Sequence, residues 1–138
     1  MKKILSAVLC LLLIFSVCAC SNDKEKYAAI AGEYIDGYSQ RAVAVVTAED
    51  KSAQIIVSWS SSVKETTVWT MNVKFSGDSK LEYKDCLAEE VVYDDQGKEI
   101  RTEIYKDGTG YFELQDGKLA WTGAVDDGCK DCIFELMQ

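Results

Sequence analysis

Thr66-Thr67-Val68-Trp69-Thr70-Met71-Asn72-Val73-Lys74-Phe75 alternates with a period of two. Trp69, Met71, Val73 and Phe75 fall on one face, and Val68, Thr70, Asn72 and Lys74 on the other. Successive side chains of a strand point to opposite faces, so this stretch predicts a half-buried β-strand with one strongly apolar face. The reading extends both ways along the chain. Upstream, Gly32–Ile35 is a short strand and Gln40–Thr47 is β-branched and alanine-rich. Ala53–Ser60 sets Ile55, Val57 and Trp59 against Gln54, Ile56 and Ser58. Downstream, Leu81–Tyr93 is one long or bulged strand, or two. Ile100–Tyr105, Tyr111–Leu114, Leu119–Thr122 and Cys132–Leu136 complete the set.

Reversals separate these strands. Ser76-Gly77-Asp78-Ser79, Asp94-Asp95-Gln96-Gly97, Asp107-Gly108, Asp116-Gly117 and Asp127-Gly128 all carry the glycine that a tight turn with positive φ requires. Short spacings between turns predict sequential antiparallel neighbours, and no helix-length amphipathic stretch lies between strands, which excludes βαβ units. The expected fold is all-β, an antiparallel meander of about eight or nine strands. It closes as a lipocalin-like up-and-down barrel or packs as a two-layer sandwich. A barrel removes the exposed edges that a hydrophobic meander otherwise presents. An eight-stranded one is filled by side chains or holds one small ligand. Trp59, Trp69, Phe75, Tyr83, Phe112, Trp121 and Phe134 are the large inward candidates.

The N-terminus reads as an address. Lys2 and Lys3 precede residues 4–19, which carry no charge. That run is short for a membrane-spanning helix and suits the apolar core of a secretory signal. Val17-Cys18-Ala19-Cys20 follows, then the polar Ser21–Lys26. Val17, Ala19 and Cys20 resemble a bacterial lipobox, with Cys18 an unusual second residue. The resemblance implies that the Cys20 thiolate takes a diacylglycerol and becomes the first residue of the mature chain. Cleavage without lipid, giving a free secreted protein, and an uncleaved membrane anchor are the alternatives. The organisation is then a signal peptide over 1–19, a lipidated tether over 20–31 with a short helical turn available at 25–31, and one β domain over 32–138. The location is the cell membrane, on its extracytoplasmic face.

Composition narrows the function classes. The chain has 138 residues, 48% of them apolar, no histidine and a net charge of −8. Nucleic-acid binding needs a basic footprint, so it is excluded. Histidine-based triads and histidine metal ligands are excluded as well. Removing residues 1–19 takes Lys2 and Lys3 away and brings the charge to −10. Such a domain attracts basic partners at long range. The carboxylate pairs Glu89-Glu90, Asp94-Asp95 and Asp126-Asp127 are adjacent in sequence and point apart, unlike the opposed pair of a glycosidase. The serines at 58 and 60–62 have no nucleophile elbow around them. No calcium-loop pattern is present. No catalytic residue, cofactor or metal site is expected, and the partner is a protein or small ligand.

Cys10 and Cys18 leave with the signal, so Cys86, Cys129 and Cys132 remain beside Cys20. The acidic Asp126-Asp127 beside Cys129-Lys130-Asp131-Cys132 works against a reactive thiolate. Three cysteines without histidine do not make a four-ligand zinc site. A Cys86–Cys132 disulfide is the preferred reading. It closes a loop of 46 residues, worth roughly 3–4 kcal/mol by the chain-entropy model. Cys86–Cys129, or no bridge, are the alternatives.

Two family resemblances follow. Gly32-x-Tyr34-x-Asp36, Ser39-Gln40-Arg41-Ala42, Ser58-x-Ser60-Ser61-Ser62, Trp69, Tyr83-x-Asp85-Cys86, Gly108-Thr109-Gly110-Tyr111-Phe112, Asp116-Gly117-x-Leu119-x-Trp121 and Asp131-Cys132-x-Phe134 look like small lipoproteins of anaerobic Gram-positive bacteria. That likeness supports Cys86–Cys132 and carries no activity. Gly110-Tyr111 and Trp121-Thr122-Gly123 resemble, more weakly, elements of the membrane-bound C-type lysozyme inhibitors. Here no lysine stands between Thr122 and Gly123, and Thr109 replaces the serine before Gly110. The function expected is a non-catalytic binding or structural module of the cell envelope, with inhibition of a lysozyme-like hydrolase as the alternative.

The lipobox reading makes a direct prediction. Intact mass of the membrane-extracted protein will show a diacylglyceryl group on Cys20 at the new N-terminus. Cys20→Ala will leave residues 1–19 attached. A soluble product without lipid contradicts it.

Overall fold

The computed structural model describes residues 23–123 and 132–138. The lipobox with Cys20, the Asp126-Asp127-Gly128 turn and Cys129 of the CxxC lie outside the described residues. The alternating stretch around Trp69 belongs to the fourth of eight antiparallel strands. They are β1 (Gly32–Asp36), β2 (Ala42–Ala48), β3 (Ala53–Ser60), β4 (Glu65–Ser76), β5 (Lys80–Tyr93), β6 (Glu99–Gln115), β7 (Lys118–Gly123) and β8 (Ile133–Leu136). Each pairs with its neighbour in sequence, and β8 returns to β1. The fold is therefore a closed up-and-down barrel and not a sandwich. Within β4, Trp69, Met71 and Val73 are buried, while Asn72 and Lys74 on the opposite face are exposed.

Side chains fill the interior. Phe112 stacks on Trp121 with ring centroids 5.6 Å apart, and Trp69 meets Trp121 edge-on at 5.4 Å. Aromatic pairs of this kind add about 0.5–1.5 kcal/mol beyond the burial of their area. The Trp121 indole Nε1–H donates to the Tyr83 hydroxyl at 2.8 Å, which satisfies a polar atom deep in the core. Phe134, Leu119, Leu81 and Ile55 are fully buried. Trp59 and Phe75 are only partly buried and pack against this cluster from opposite ends of the barrel.

One expected reversal is absent. Asp107-Gly108 does not turn the chain, because β6 runs through it without a break. Asp107 has φ 56°, and the pairing with β5 slips on both sides of Cys86, which lies opposite Gly108. A left-handed residue can bulge a strand as well as turn it. Here β5 offers partners on both sides of the bulge, so the strand continues. At Asp116-Gly117 both residues have positive φ, 51° and 76°, and the chain makes the two-residue hairpin turn that Asp-Gly favours.

The N-terminal segment also differs from a free tether. Residues 23–30 form a helix, α1, that caps one end of the barrel. Tyr27 and Ile30 join the core. The Tyr27 ring packs on Phe75 at 5.0 Å, and its hydroxyl accepts from the Phe75 backbone N–H at 3.0 Å. The Tyr34 hydroxyl donates to the Ile30 carbonyl at 2.9 Å, and burial pushes the Tyr34 phenol above its ordinary pKa. An isolated helix this short is marginal in water, so tertiary packing is what holds it.

Two glycines in β6 set how closely the barrel wall can pack. A Cβ at Gly108 would come within 2.7 Å of the Tyr105 ring. One at Gly110 would overlap the Tyr83 hydroxyl and lie 2.7 Å from the Thr122 carbonyl oxygen. Gly110→Ala is therefore expected to cost about 1–3 kcal/mol by overpacking. Gly77→Ala, in a turn with φ 84° and nothing within 4 Å, should cost about 1 kcal/mol from its left-handed backbone alone. Urea midpoints at unchanged slope check both.

Candidate functional site

A concavity lies where β8 closes the barrel against β1. It is a groove of about 640 Å³ that runs from the β1–β2 loop to the β6–β7 turn. Its first wall begins at Asp36, the last residue of β1 and the only charged residue among the described ones that is buried. The carboxylate accepts from the Ser39 backbone N–H at 2.8 Å, from the Ser39 hydroxyl, and from the Tyr38 N–H at 3.4 Å. The Gln40 N–H returns to the Asp36 carbonyl at 3.1 Å, with Gln40 at φ 55°. This is an Asx-type turn, in which a short polar side chain satisfies the backbone two and three residues on. It directs Tyr38 outward, 99% exposed.

The opposite wall comes from β7 and β8. Lys118 Nζ sits 2.7 Å from a Glu135 carboxylate oxygen. That hydrogen bond, then the Glu135 charge and that of Asp116, raise the Lys118 pKa above its ordinary value. Gly37 donates to the Ile133 carbonyl at 3.0 Å, and a Cβ there would press within 3.0 Å of the Glu135 carboxyl. The half-buried Trp59 and the half-exposed Ile133 supply apolar surface. The lining thus holds three carboxylates, Asp36, Asp116 and Glu135, against one ammonium, together with the aromatics Tyr38 and Trp59. An acidic, aromatic-flanked groove suits a cationic group, by charge and by cation–π attraction. Among the described residues no three Cys, Asp or Glu side chains gather as metal ligands.

The sequence-predicted residues fall as follows. Cys86 is buried in β5, and Cys132 is buried just before β8, where its carbonyl accepts from the Trp121 N–H at 2.9 Å. Cys86 lies opposite Gly108 at the bulge between β5 and β6, and Cys132 stands across the seam from Trp121. Cys20 lies outside the described residues. The two carboxylate pairs among the described residues do not converge: Glu89 pairs with Arg101 at 3.0 Å, Asp94 caps its own turn, and Asp95 meets Lys64 at 2.7 Å. The serine cluster caps the β3–β4 loop through Ser62. The two elements that resemble the lysozyme inhibitors lie side by side, with Gly110 opposite Gly123 and Tyr111 opposite Thr122. Asp36, Lys118 and Glu135 are not residues that the sequence alone marks for a role. Asp36-Gly37-Tyr38-Ser39 is a local Asx-turn signature that could have found the first. The Lys118–Glu135 pair depends on barrel closure.

Compared with family models, curated proteins and solved structures, the chain matches none.

Asp36→Ala strips the acceptor from two backbone N–H groups and one hydroxyl. It should destabilise the barrel by about 1–3 kcal/mol, and speed amide exchange at residues 38 and 39. Asp36→Asn, which keeps one acceptor oxygen, should cost less.

Proposed function

We propose that the protein is a lipid-anchored, extracytoplasmic binding module of the cell envelope, without catalytic chemistry of its own, that grips a basic partner in the groove at the barrel seam. The observation that carries this reading is the lining, with three carboxylates to one lysine and the aromatics Trp59 and Tyr38 beside them. The net charge of −10 left after removal of residues 1–19 supports it, because an acidic surface steers a basic partner into encounter. Cys20 lies three residues before α1, at most about 11 Å of extended chain. A lipid there holds the barrel close against the membrane surface.

The alternative function is inhibition of a lysozyme-like hydrolase. The register that sets Gly110-Tyr111 beside Thr122-Gly123 favours it. Lysozymes of this class are basic, so the two readings share a charge logic and differ in consequence.

The test is titration of the detergent-solubilised lipoprotein with a basic lysozyme, read by calorimetry and by clearing of a cell-wall suspension. Saturable binding that weakens with salt, and drops at least tenfold in Trp59→Ala and Tyr38→Ala, is the expected result. Binding untouched by either substitution removes the groove as the site. Binding without loss of clearing activity removes the inhibitor and leaves the module. No saturable binding of a basic protein at low salt overturns the basic-partner reading.

A further inference from the structure

β6 has 17 residues, yet β7 pairs only with Gly110–Gln115 of its outer edge. The inner edge is taken by β5 along nearly the whole length. Among the described residues no strand lies on the outer edge of Glu99-Ile100-Arg101-Thr102-Glu103-Ile104. All six residues are exposed, and the two isoleucines are 50% and 55% exposed. An open edge presents a row of backbone donors and acceptors that another strand can complete.

The sequence of this edge is complementary to itself. A two-fold axis through the sheet lays two copies antiparallel and pairs residues on a common face. With Thr102 on the axis, Arg101 lies opposite Glu103 of the partner subunit, and the same contact recurs by symmetry. Ile100 then lies opposite Ile104 of the partner subunit. Centring the axis on Arg101 or on Glu103 would stack like charges, which is destabilising for residues directly opposite. Arg101 is pre-set for the contact. Its guanidinium is fixed by Glu89 at 3.0 Å and by Glu99, and the side chain remains nearly half exposed. A guanidinium has five donors, so capacity remains for a further carboxylate. None of the six residues lines the seam groove.

We infer that the Glu99–Ile104 edge of β6 is a self-association surface, where a second copy of this chain adds antiparallel with Thr102 on the two-fold axis. The pairing joins the two barrels through one continuous sheet. It does not depend on the reading of the groove.

The register gives a sharp test in membranes carrying the full chain. Cysteine is placed singly at each position from 99 to 104, and the cross-linked dimer is measured against the background of the native cysteines. Across an antiparallel pair only the residue on the axis meets its own copy, at a Cα separation of about 4.5–5.5 Å, within disulfide reach. Thr102→Cys should therefore give at least tenfold more dimer than Ile100→Cys or Ile104→Cys. A peak elsewhere overturns the register, and equal or background yields at all six positions overturn the surface. Glu103 lies directly opposite Glu89 on β5, so Glu103→Arg replaces a like-charge neighbour by an opposite charge and the fold is kept. Combined with Thr102→Cys it should abolish cross-linking. Co-expression with a chain carrying Arg101→Glu and Thr102→Cys should restore it, as the mixed dimer only. Cross-linking that ignores these charges contradicts the proposed pairing, and circular dichroism of each variant checks that the barrel is intact.

Discussion

Barrel closure depends on four residues, Ile133–Leu136. This short β8 pairs with β1 through Tyr34, Ile35 and Asp36, and with β7 through Leu119 and Ala120. Phe134 is the pivot, fully buried with Asp36 on one side of it and Leu119 on the other. Backbone bonds just outside the ladder extend the seam, from Gly37 to Ile133, from Trp121 to Cys132 and from Met137 to Glu33, each 2.9–3.0 Å. Two positions without a Cβ allow the close approach. At Gly32 a methyl would stand 2.9 Å from Leu136, and at Gly37 it would press on Glu135. Without this strand β1 and β7 become open edges, and the aromatic interior loses one wall. The groove is a by-product of the same economy, since a four-residue strand between longer neighbours leaves the surface indented beside the β1–β2 loop.

Most of the barrel was legible because its strands obey one periodicity. Trp69, Met71 and Val73 are inward for the reason their spacing indicated, and Asp116-Gly117 turns as its composition required. The two departures share a cause. Asp107-Gly108 has the same local chemistry as a hairpin turn, and only the availability of β5 on both sides decides that the strand continues. Residues 23–30 have weak helical character of their own, and only the surface around Phe75 and Tyr34 makes Tyr27 and Ile30 worth burying. In each case tertiary partners overrode a local preference that was close to neutral.

The candidate site was far less legible than the fold. It draws on residues near 36–39, on Trp59, on the β6–β7 turn and on residues 132–135. No local pattern connects these segments, because their proximity exists only after the last strand docks. Trp59 reads from the sequence as large and inward, which is half of its role. Tyr38, by contrast, is exposed only because the Asp36 turn pushes it there.

Were Cys20 lipidated as proposed, any movement of the membrane relative to a bound partner would be transmitted as tension through the N-terminus. The load reaches α1 first, which the Tyr27 and Ile30 side chains hold to the barrel end. Unravelling its eight residues releases roughly 15 Å of slack, the difference between helical rise and extended chain. Beyond it, tension enters β1 at Gly32 and runs along the strand. β1 is flanked on both sides, by β2 and β8, and its ladder bonds lie perpendicular to the pull. Those bonds are therefore strained together in shear and do not open one at a time. The helix acts as a compliant spring ahead of a stiff clamp, so the barrel keeps its shape while the leash lengthens.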